Sequence, residues 1–207
     1  RAWSPDPELQ SLFEDLGADG SFVLDAPSDA IAVTNMNGGG NKLDAFLVRD
    51  LRYRATVDTT TGALDATLDV TLHNQAPSSG LPEYVIGSLA GDPFGTNRSF
   101  VTAYSRFPIT SLEVDGQPVD LAPPATGTQL GWQYAQWRVL VPPTGERHLT
   151  FHMSGTLPSP NDYSLEVWRQ ALPNPDESDI RVVTTDGRVL VDHQGRLDQT
   201  RVLSPGD

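Results

Sequence analysis

Residues 51–73, LRYRATVDTTTGALDATLDVTLH, decide the fold class of this chain. Apolar residues occupy every second position on both sides of a turn that contains Gly62, and mostly polar residues fill the positions between them. Alternation of this kind is typical of strands with one buried face and one solvent-exposed face. The stretch therefore predicts an antiparallel β-hairpin whose polar face carries arginines on the first strand and aspartates on the second.

The same alternation continues from this hairpin towards the end of the chain. Asp115-Gly116 and Asp186-Gly187 mark tight turns, and two proline pairs interrupt the pattern between them. We count about nine strands, with turn signals at the spacing of roughly 8–12 residues that is typical of sandwiches. The sequence therefore predicts a mainly β fold, in which residues 43–207 form an antiparallel β-sandwich of the immunoglobulin or fibronectin type.

The first 42 residues differ from the rest of the chain. Prolines and acidic residues at positions 4–8 precede apolar residues at helical spacing, which predicts a capped N-terminal helix of about three turns. Its apolar face holds Leu9, Leu12, Phe13 and Leu16. Gly17 stands at the position of a C-terminal cap, and residues 21–25 and 30–34 have the apolar character of two short strands. We therefore predict that residues 1–42 are the end of an upstream α/β unit.

The composition excludes several classes of function. Acidic residues outnumber basic ones by 27 to 14, and a net charge of −13 disfavours nucleic acid and anionic membrane surfaces, because their phosphates would be repelled. The absence of cysteine excludes disulfides, thiol nucleophiles and thiolate metal sites. No apolar run is long enough for a membrane helix, and the chain starts with Arg1 rather than methionine. We therefore expect a piece of a longer protein whose targeting segment lies elsewhere.

The motifs predict neither a catalytic residue nor a cofactor. A Gly-x-Ser-x-Gly elbow is missing, and the many serines and aspartates single out no triad. His148 and His152 share one strand face, but four residues of a strand span about 13 Å, which is too far for one metal ion. The acidic run at residues 176–179 does not fit an EF-hand loop, so calcium would require convergent loops.

Two loops are the candidate binding surfaces. Residues 33–44 are rich in asparagine and glycine, and such a loop either donates backbone N–H groups to a phosphate or sugar or forms a tight structural turn. Residues 74–97 form a loop of a length that is usually functional or mobile. The candidate ligand-binding residues are Asn35, Asn37, Asn41, Lys42, Asp44, Asn97 and Arg98. The aromatic residues Trp132, Tyr134, Trp137 and Trp168 form either a sugar-stacking platform or part of the core.

Motifs in the first half of the chain resemble a known bacterial family. Residues 1–10 carry Arg-Ala-Trp-Ser-x-Asp-Pro-x-x-Gln, residues 35–44 carry Asn-Met-Asn-Gly-Gly-x-Asn-Lys-Leu-Asp, and residues 74–85 carry Asn-x-Ala-Pro-x-x-Gly-Leu-Pro-x-Tyr-Val. Up to about residue 104, the chain is similar to an actinobacterial family of membrane-anchored proteins, domain of unknown function four thousand and twelve. The resemblance implies an extracytoplasmic protein with an N-terminal transmembrane helix and a larger α/β region upstream.

That upstream region is loosely similar to the LytR-CpsA-Psr ligases, which attach glycopolymers to peptidoglycan. The arginine and aspartate that those ligases use for pyrophosphate have no match in this chain. We therefore predict a non-enzymatic, extracytoplasmic module of a cell-envelope protein, anchored through a membrane segment upstream, that binds or scaffolds envelope glycan or a protein partner. The alternative is an accessory part of a similar glycopolymer transferase, with Asn35, Asn41, Lys42 and Asp44 lining its site.

Overall fold

The computed structural model describes residues 2–16, 18–19 and 28–206. Gly17 and residues 21–25, predicted as a helix cap and a strand, lie outside these ranges. Within the described ranges strands dominate and one helix lies near the N-terminus. The predicted mainly β class with an N-terminal helix is therefore confirmed.

The N-terminal helix, α1, spans Pro7–Asp15. Asp6 caps it, because one of its carboxylate oxygens accepts the backbone N–H groups of Glu8 and Leu9 at 2.9 and 3.2 Å. Every residue of α1 remains at least partly exposed. The helix therefore adds no buried side chain to the core between the sheets.

Thirteen strands follow in the described part of the chain, more than the nine predicted. They are β1 (Asp29–Asn37), β2 (Leu47–Val57), β3 (Ala63–Asn74), β4 (Asn97–Ser105), β5 (Ile109–Val114), β6 (Gln117–Val119), β7 (Thr126–Gln129), β8 (Trp132–Val141), β9 (Glu146–Thr156), β10 (Leu165–Trp168), β11 (Asp176–Thr184), β12 (Val189–Leu197) and β13 (Arg201–Leu203). A 3₁₀ turn at Leu43–Phe46 precedes β2, and a one-turn helix, α2 (Glu83–Ile86), lies between β3 and β4.

The strands form two mixed sheets. In the described residues, one sheet has six strands in the order β13-β10-β1-β4-β8-β7, and the other has seven in the order β12-β11-β2-β3-β9-β5-β6. Most neighbours are antiparallel, but β1 runs parallel to β10 and β11 runs parallel to β2. The predicted purely antiparallel, immunoglobulin-like sandwich is therefore wrong. Alternation indicates which face of a strand is buried, whereas parallel pairing depends on long crossover connections that a local pattern does not encode.

The predicted hairpin is present as β2 and β3, and its apolar side chains enter a core that both sheets share. On the opposite face, Arg52 lies across from Asp69, as the alternation predicts. Arg52, however, forms its ion pair with Asp179 of β11, and 3.4 Å separates Arg52 Nε from Asp179 Oδ2. Asp69 instead accepts a hydrogen bond of 2.7 Å from the hydroxyl of Thr150 in β9. Strands on both sides of the hairpin thus provide partners that the hairpin sequence alone does not show.

Strand β1, which the sequence assigns to the α/β segment, lies inside the six-stranded sheet between β10 and β4. Residues on both sides of position 42 therefore contribute to one sheet. The division of the chain into residues 1–42 and 43–207 stays a prediction about the origin of the N-terminal segment.

The buried guanidinium of Arg49 connects the two sheets. Arg49 of β2 is 1% exposed, and its Nε and Nη2 each bind a different carboxylate oxygen of Asp176 at 2.7 Å. The same guanidinium donates to the backbone carbonyl of Val33 at 3.2 Å and to Asn35 Oδ1 at 3.0 Å, both in β1. Because these contacts bridge β2 and β1, they fix the position of one sheet relative to the other.

Candidate functional site

The two candidate loops lie against each other. The backbone N–H groups of Gly38, Lys42 and Leu89 donate to the carbonyls of Arg98, Val85 and Gly39 at 2.8, 3.1 and 2.9 Å. The side-chain amide of Asn41 donates to the Gly87 carbonyl at 2.5 Å. Beneath these contacts, Leu43, Ala76 and Ile86 form a small apolar cluster of their own. The long loop at residues 74–97 is thus packed against the glycine-rich loop.

Four of the predicted ligand-binding residues, Asn37, Asn41, Asp44 and Asn97, form one hydrogen-bonded cluster. Asn37 Oδ1 accepts the backbone N–H groups of Gly39 and Gly40 at 2.8 and 3.2 Å. Its Nδ2 donates to Asn41 Oδ1 at 2.9 Å and to Asp44 Oδ1 at 3.2 Å. Asn97 Nδ2 donates to the same Asp44 oxygen at 3.2 Å. These bonds close the loop upon itself, which is the behaviour of a structural turn.

The other three predicted residues lie apart from this cluster. Asn35 is 5% exposed and accepts from Arg49 in the interior. Arg98 binds both carboxylate oxygens of Asp92, at 2.8 and 2.5 Å, and this guanidinium lowers the pKa of the Asp92 carboxyl. Lys42 is exposed, and its ammonium makes no hydrogen bond within the described ranges. The structure thus brings four of the seven residues together and leaves three in different surroundings.

A polar groove of about 740 Å³ crosses the outer face of the seven-stranded sheet. Its ionisable lining residues are Asp50, Arg52, Asp69, His148, Glu177 and Asp179. These side chains already have partners on the same face. Glu177 lies 3.6 Å from the Arg196 guanidinium, and Asp50 lies 2.8 Å from the His73 ring. Two imidazole contacts join His148 to Thr71 and to Glu146, at 3.1 and 3.2 Å. A face of mutually paired side chains is typical of a solvated sheet surface.

A second depression, of about 510 Å³, lies on the outer face of the six-stranded sheet. We term it the Phe100 pocket, and its lining residues are Phe100, Pro124, Ala125, Gln136, Trp137 and Arg138. Phe100 of β4 lies across from Arg138 of β8 and from Met36 of β1. Gln136 follows on the same face of β8, because side chains two residues apart on a strand point the same way. An aromatic ring, a guanidinium and an amide therefore line one open site.

The wall formed by Pro124 and Ala125 is hydrogen-bonded to β8. The Gln136 backbone N–H donates to the Ala125 carbonyl at 2.8 Å, and the Tyr134 hydroxyl donates to the Pro124 carbonyl at 3.3 Å. The Gln136 side chain is positioned as well, because its Nε2 donates to Thr102 Oγ1 at 2.9 Å. This bond leaves the amide oxygen Oε1 of Gln136 as an acceptor for a ligand.

Gly38 connects the glycine-rich loop to the Phe100 pocket. A Cβ atom at this position would lie 2.6 Å from Phe100 Cε2 and 3.2 Å from the Arg98 side chain. A larger residue would therefore displace the aromatic ring. The glycine-rich loop thus helps to position Phe100, which is a different role from the ligand cradle considered on sequence grounds.

Sequence patterns did not predict Phe100, Gln136 or Arg138 as site residues. One usable signal was the alternation of buried and outward-facing residues in β4. Phe100 precedes the buried Val101, so its side chain points away from the core. The same alternation occurs in β8. Gln136 and Arg138 are next to the buried Ala135 and Val139, so their side chains also point away from the core. Alternation alone places these residues on an outer face, and only the pairing of β4 with β8 makes them neighbours.

The four aromatic residues proposed as a platform do not lie on one open surface. Trp132 is fully buried, and Trp168 meets it edge-on with ring centroids 6.5 Å apart. Trp137 is half-buried and packs against the core while also lining the Phe100 pocket. Tyr134 packs beside Tyr104, with ring centroids 6.2 Å apart. Of the two interpretations of these aromatic residues, a sugar-stacking platform or part of the core, Trp132 fits the core.

The remaining predicted chemistry concerns histidines and metals. His148 and His152 contact the carboxylates of Glu146 and Glu113 at 3.2 and 3.4 Å, respectively. Among the residues that the structure describes, no group of three or more His, Asp or Glu side chains is arranged to hold a metal ion. None of the helices in these ranges has the length and apolarity needed to cross a bilayer.

Comparison with known proteins finds distant structural similarity. No protein-family model and no curated protein matches the chain. A Legionella pneumophila structure described as a candidate nutrient binding protein has 6% identity and a TM-score of 0.42, over 75% of this chain and 54% of that one. A mutant M1 zinc metallopeptidase from Deinococcus radiodurans has 12% identity and a TM-score of 0.35, over 77% of this chain and 38% of that one. The matched region thus spans about half of the first structure and less of the second.

Proposed function

We propose that the chain is a non-enzymatic glycan-binding module of an extracytoplasmic cell-envelope protein, and that it binds sugar in the Phe100 pocket. The observation that carries this proposal is the placement of Phe100, Gln136 and Arg138 around one open depression. An aromatic ring packs against the apolar C–H face of a pyranose, while an amide and a guanidinium hydrogen-bond to its hydroxyl groups. Ligand sites commonly combine an apolar wall with a few convergent polar groups in this way.

The larger polar groove supports this function less well. A ligand in the groove would have to replace existing contacts, such as the Arg52–Asp179 ion pair and the Asp69–Thr150 hydrogen bond. The guanidinium of Arg138, by contrast, makes no hydrogen bond or ion pair with another described residue. A sugar entering the Phe100 pocket therefore has a polar group to bind without breaking a bond within the protein.

The proposed location outside the cytoplasm, with a membrane anchor upstream, is supported by the motifs at residues 35–44 and 74–85. Glycan is favoured over a protein partner by the pocket, whose volume of about 510 Å³ suits a few sugar units. The transferase alternative depended on Asn35, Asn41, Lys42 and Asp44. Because three of these four side chains make hydrogen bonds within the protein, no observation favours that alternative.

Cosedimentation with insoluble actinobacterial peptidoglycan, carrying its attached polymers, tests the proposal. We expect wild-type chain to sediment and Phe100→Ala to bind at least about tenfold more weakly, a loss of about 1.4 kcal/mol. Tyr84→Ala is the matched control, because Tyr84 is an aromatic residue 71% exposed on the long loop, outside the Phe100 pocket.

Thermal unfolding of each variant verifies that it is folded, and Gln136→Ala provides a second test that leaves the aromatic ring in place. Equal binding by wild type, Phe100→Ala and Gln136→Ala would refute glycan binding in this pocket. A loss of binding in Tyr84→Ala alone would move the site to the long loop.

A further inference from the structure

Arg138 has no carboxylate partner among the described residues, in contrast to Arg98 of the neighbouring strand β4 and to several arginines of the other sheet. The guanidinium groups of Arg54, Arg98 and Arg181 each lie within 2.7 Å of a carboxylate oxygen. The Arg138 side chain is exposed and makes neither a hydrogen bond nor an ion pair within the described part of the chain. In a protein with a net charge of −13, an unpaired guanidinium beside an open pocket is a local positive charge that attracts an anionic ligand.

The nearest acidic neighbour does not neutralise Arg138. Asp92 is close enough to interact electrostatically with Arg138, but Arg98 already binds both Asp92 oxygens, at 2.8 and 2.5 Å. The Ser88 hydroxyl donates to Asp92 as well, at 2.8 Å. The positive charge of Arg138 therefore remains available to a molecule that enters the pocket.

The register places this charge next to the proposed sugar site. Arg138 lies directly across from Phe100, and neighbouring strands are about 4.8 Å apart, so a pyranose stacked on the ring would bring its substituents within reach of the guanidinium. A guanidinium presents a planar pair of donors that matches the two oxygens of a carboxylate or phosphate better than it matches a single hydroxyl. The chemistry shared by these substituents is an oxyanion carried on the sugar.

We infer that the Phe100 pocket selects acidic glycan, with Phe100 packing against the sugar ring and Arg138 binding a carboxylate or phosphate on it. This inference rests on the proposed glycan-binding function and adds the class of sugar that the site takes. The net charge of −13 repels such a polymer, so we expect it to bind only where Arg138 provides a local positive charge.

Calorimetric titration with three probes tests the inference. The first is a tetrasaccharide of alternating N-acetylglucosamine and N-acetylmuramic acid, which carries carboxylates. Chitotetraose, the second, has the same sugar backbone without them. The third, a glycerol phosphate oligomer, distinguishes phosphate from carboxylate. At low salt we expect wild-type chain to bind at least one acidic probe about tenfold more tightly than chitotetraose.

Arg138→Gln is the diagnostic variant, and Arg181→Gln is its control. Arg181 is an exposed arginine of the seven-stranded sheet, so its replacement makes the same change in net charge away from the pocket. We expect Arg138→Gln to lose the tenfold preference, because its affinity for the acidic probe falls about tenfold more than its affinity for chitotetraose, and we expect Arg181→Gln to keep the preference.

The outcomes separate this inference from the proposed function. Equal wild-type affinity for acidic and neutral probes, or a preference that survives in Arg138→Gln, would overturn acid selection and leave glycan binding intact. Failure of the wild-type chain to bind any of the three probes would refute the glycan-binding function itself. Preference for the tetrasaccharide identifies carboxylate as the source of the oxyanion, and preference for the oligomer identifies phosphate.

Discussion

Asp29 of β1 is a carboxyl group buried in the interior and held by two tyrosines. The hydroxyls of Tyr53 and Tyr163 donate to its Oδ2 at 2.5 and 2.8 Å. Burial raises the pKa of the Asp29 carboxyl above its usual value of 3.8, and the two tyrosine hydrogen bonds oppose that effect only in part. The folded state therefore holds this proton more tightly than the unfolded chain does.

This difference predicts a pH dependence of stability. As pH rises from about 3.8 towards the raised pKa, the unfolded chain has released a proton that the folded protein retains, so the free energy of unfolding declines. Above the raised pKa, Asp29 is ionised in both states, so its contribution to the free energy of unfolding no longer changes with pH. Asp29→Asn has no proton to lose there, and its amide oxygen still accepts from both tyrosines. We therefore expect the variant to lack the decline.

Urea unfolding of wild type and Asp29→Asn between about pH 4 and pH 7 measures this effect. The difference between the two curves isolates Asp29, because carboxyls with lowered pKa values, such as Asp92 and Asp179, titrate in both proteins. Stability curves that run parallel across this range would show that the Asp29 pKa is not raised by folding.

At the scale of single elements, the glycine-rich loop depends on Asn37. Its carboxamide oxygen accepts two backbone N–H groups, and its nitrogen donates to Asn41 and Asp44. The Asn37→Ala variant removes all four bonds, and we expect it to lower the free energy of unfolding by about 1–3 kcal/mol. Hydrogen exchange should also accelerate at the amides of Gly39 and Gly40.

Met36→Ala is the control for this loop, because Met36 is the preceding residue in β1 and is 60% exposed. We expect it to change stability by less than about 0.5 kcal/mol. Unchanged exchange at Gly39 and Gly40 in Asn37→Ala would mean that the backbone, and not this side chain, determines the loop conformation.

The elements differ in how far sequence predicts them. The hairpin of β2 and β3 follows from alternation, because both strands are long and their turn is short. The N-terminal helix follows from its apolar spacing and from the prolines and acidic residues before it. The packing of residues 74–97 against the glycine-rich loop does not follow, because it depends on backbone contacts such as Leu89 to Gly39 between distant segments. Length alone identifies such a loop but not what it contacts.

At the scale of the whole molecule, the order of strands is the part of the fold that local patterns leave open. β10 joins β1, and β11 joins β2, although more than 100 residues separate the members of each pair. The candidate site depends on that order too. Phe100 and Arg138 are 38 positions apart (138 minus 100), and they become neighbours only through the pairing of β4 with β8.

One arginine on the outer face of the six-stranded sheet differs from the paired arginines of the seven-stranded sheet. On the seven-stranded sheet, carboxylates and guanidinium groups neutralise one another across neighbouring strands, as in the Arg54–Asp179 and Arg181–Asp192 pairs. On the six-stranded sheet, Arg138 faces solvent next to an aromatic ring without such a partner in the described residues. This unpaired charge beside an aromatic ring is the physical basis for assigning ligand binding to the six-stranded sheet.

Chemical-shift mapping of the isotope-labelled chain, titrated with solubilised actinobacterial peptidoglycan and its attached polymers, tests this assignment most directly. We expect the largest shifts at the backbone amides of Phe100, Gln136 and Arg138, because a sugar in the pocket changes the surroundings of β4 and β8 together. Shifts confined to the polar groove around Asp69 and Glu177, or no shifts at saturating ligand, would contradict the assignment.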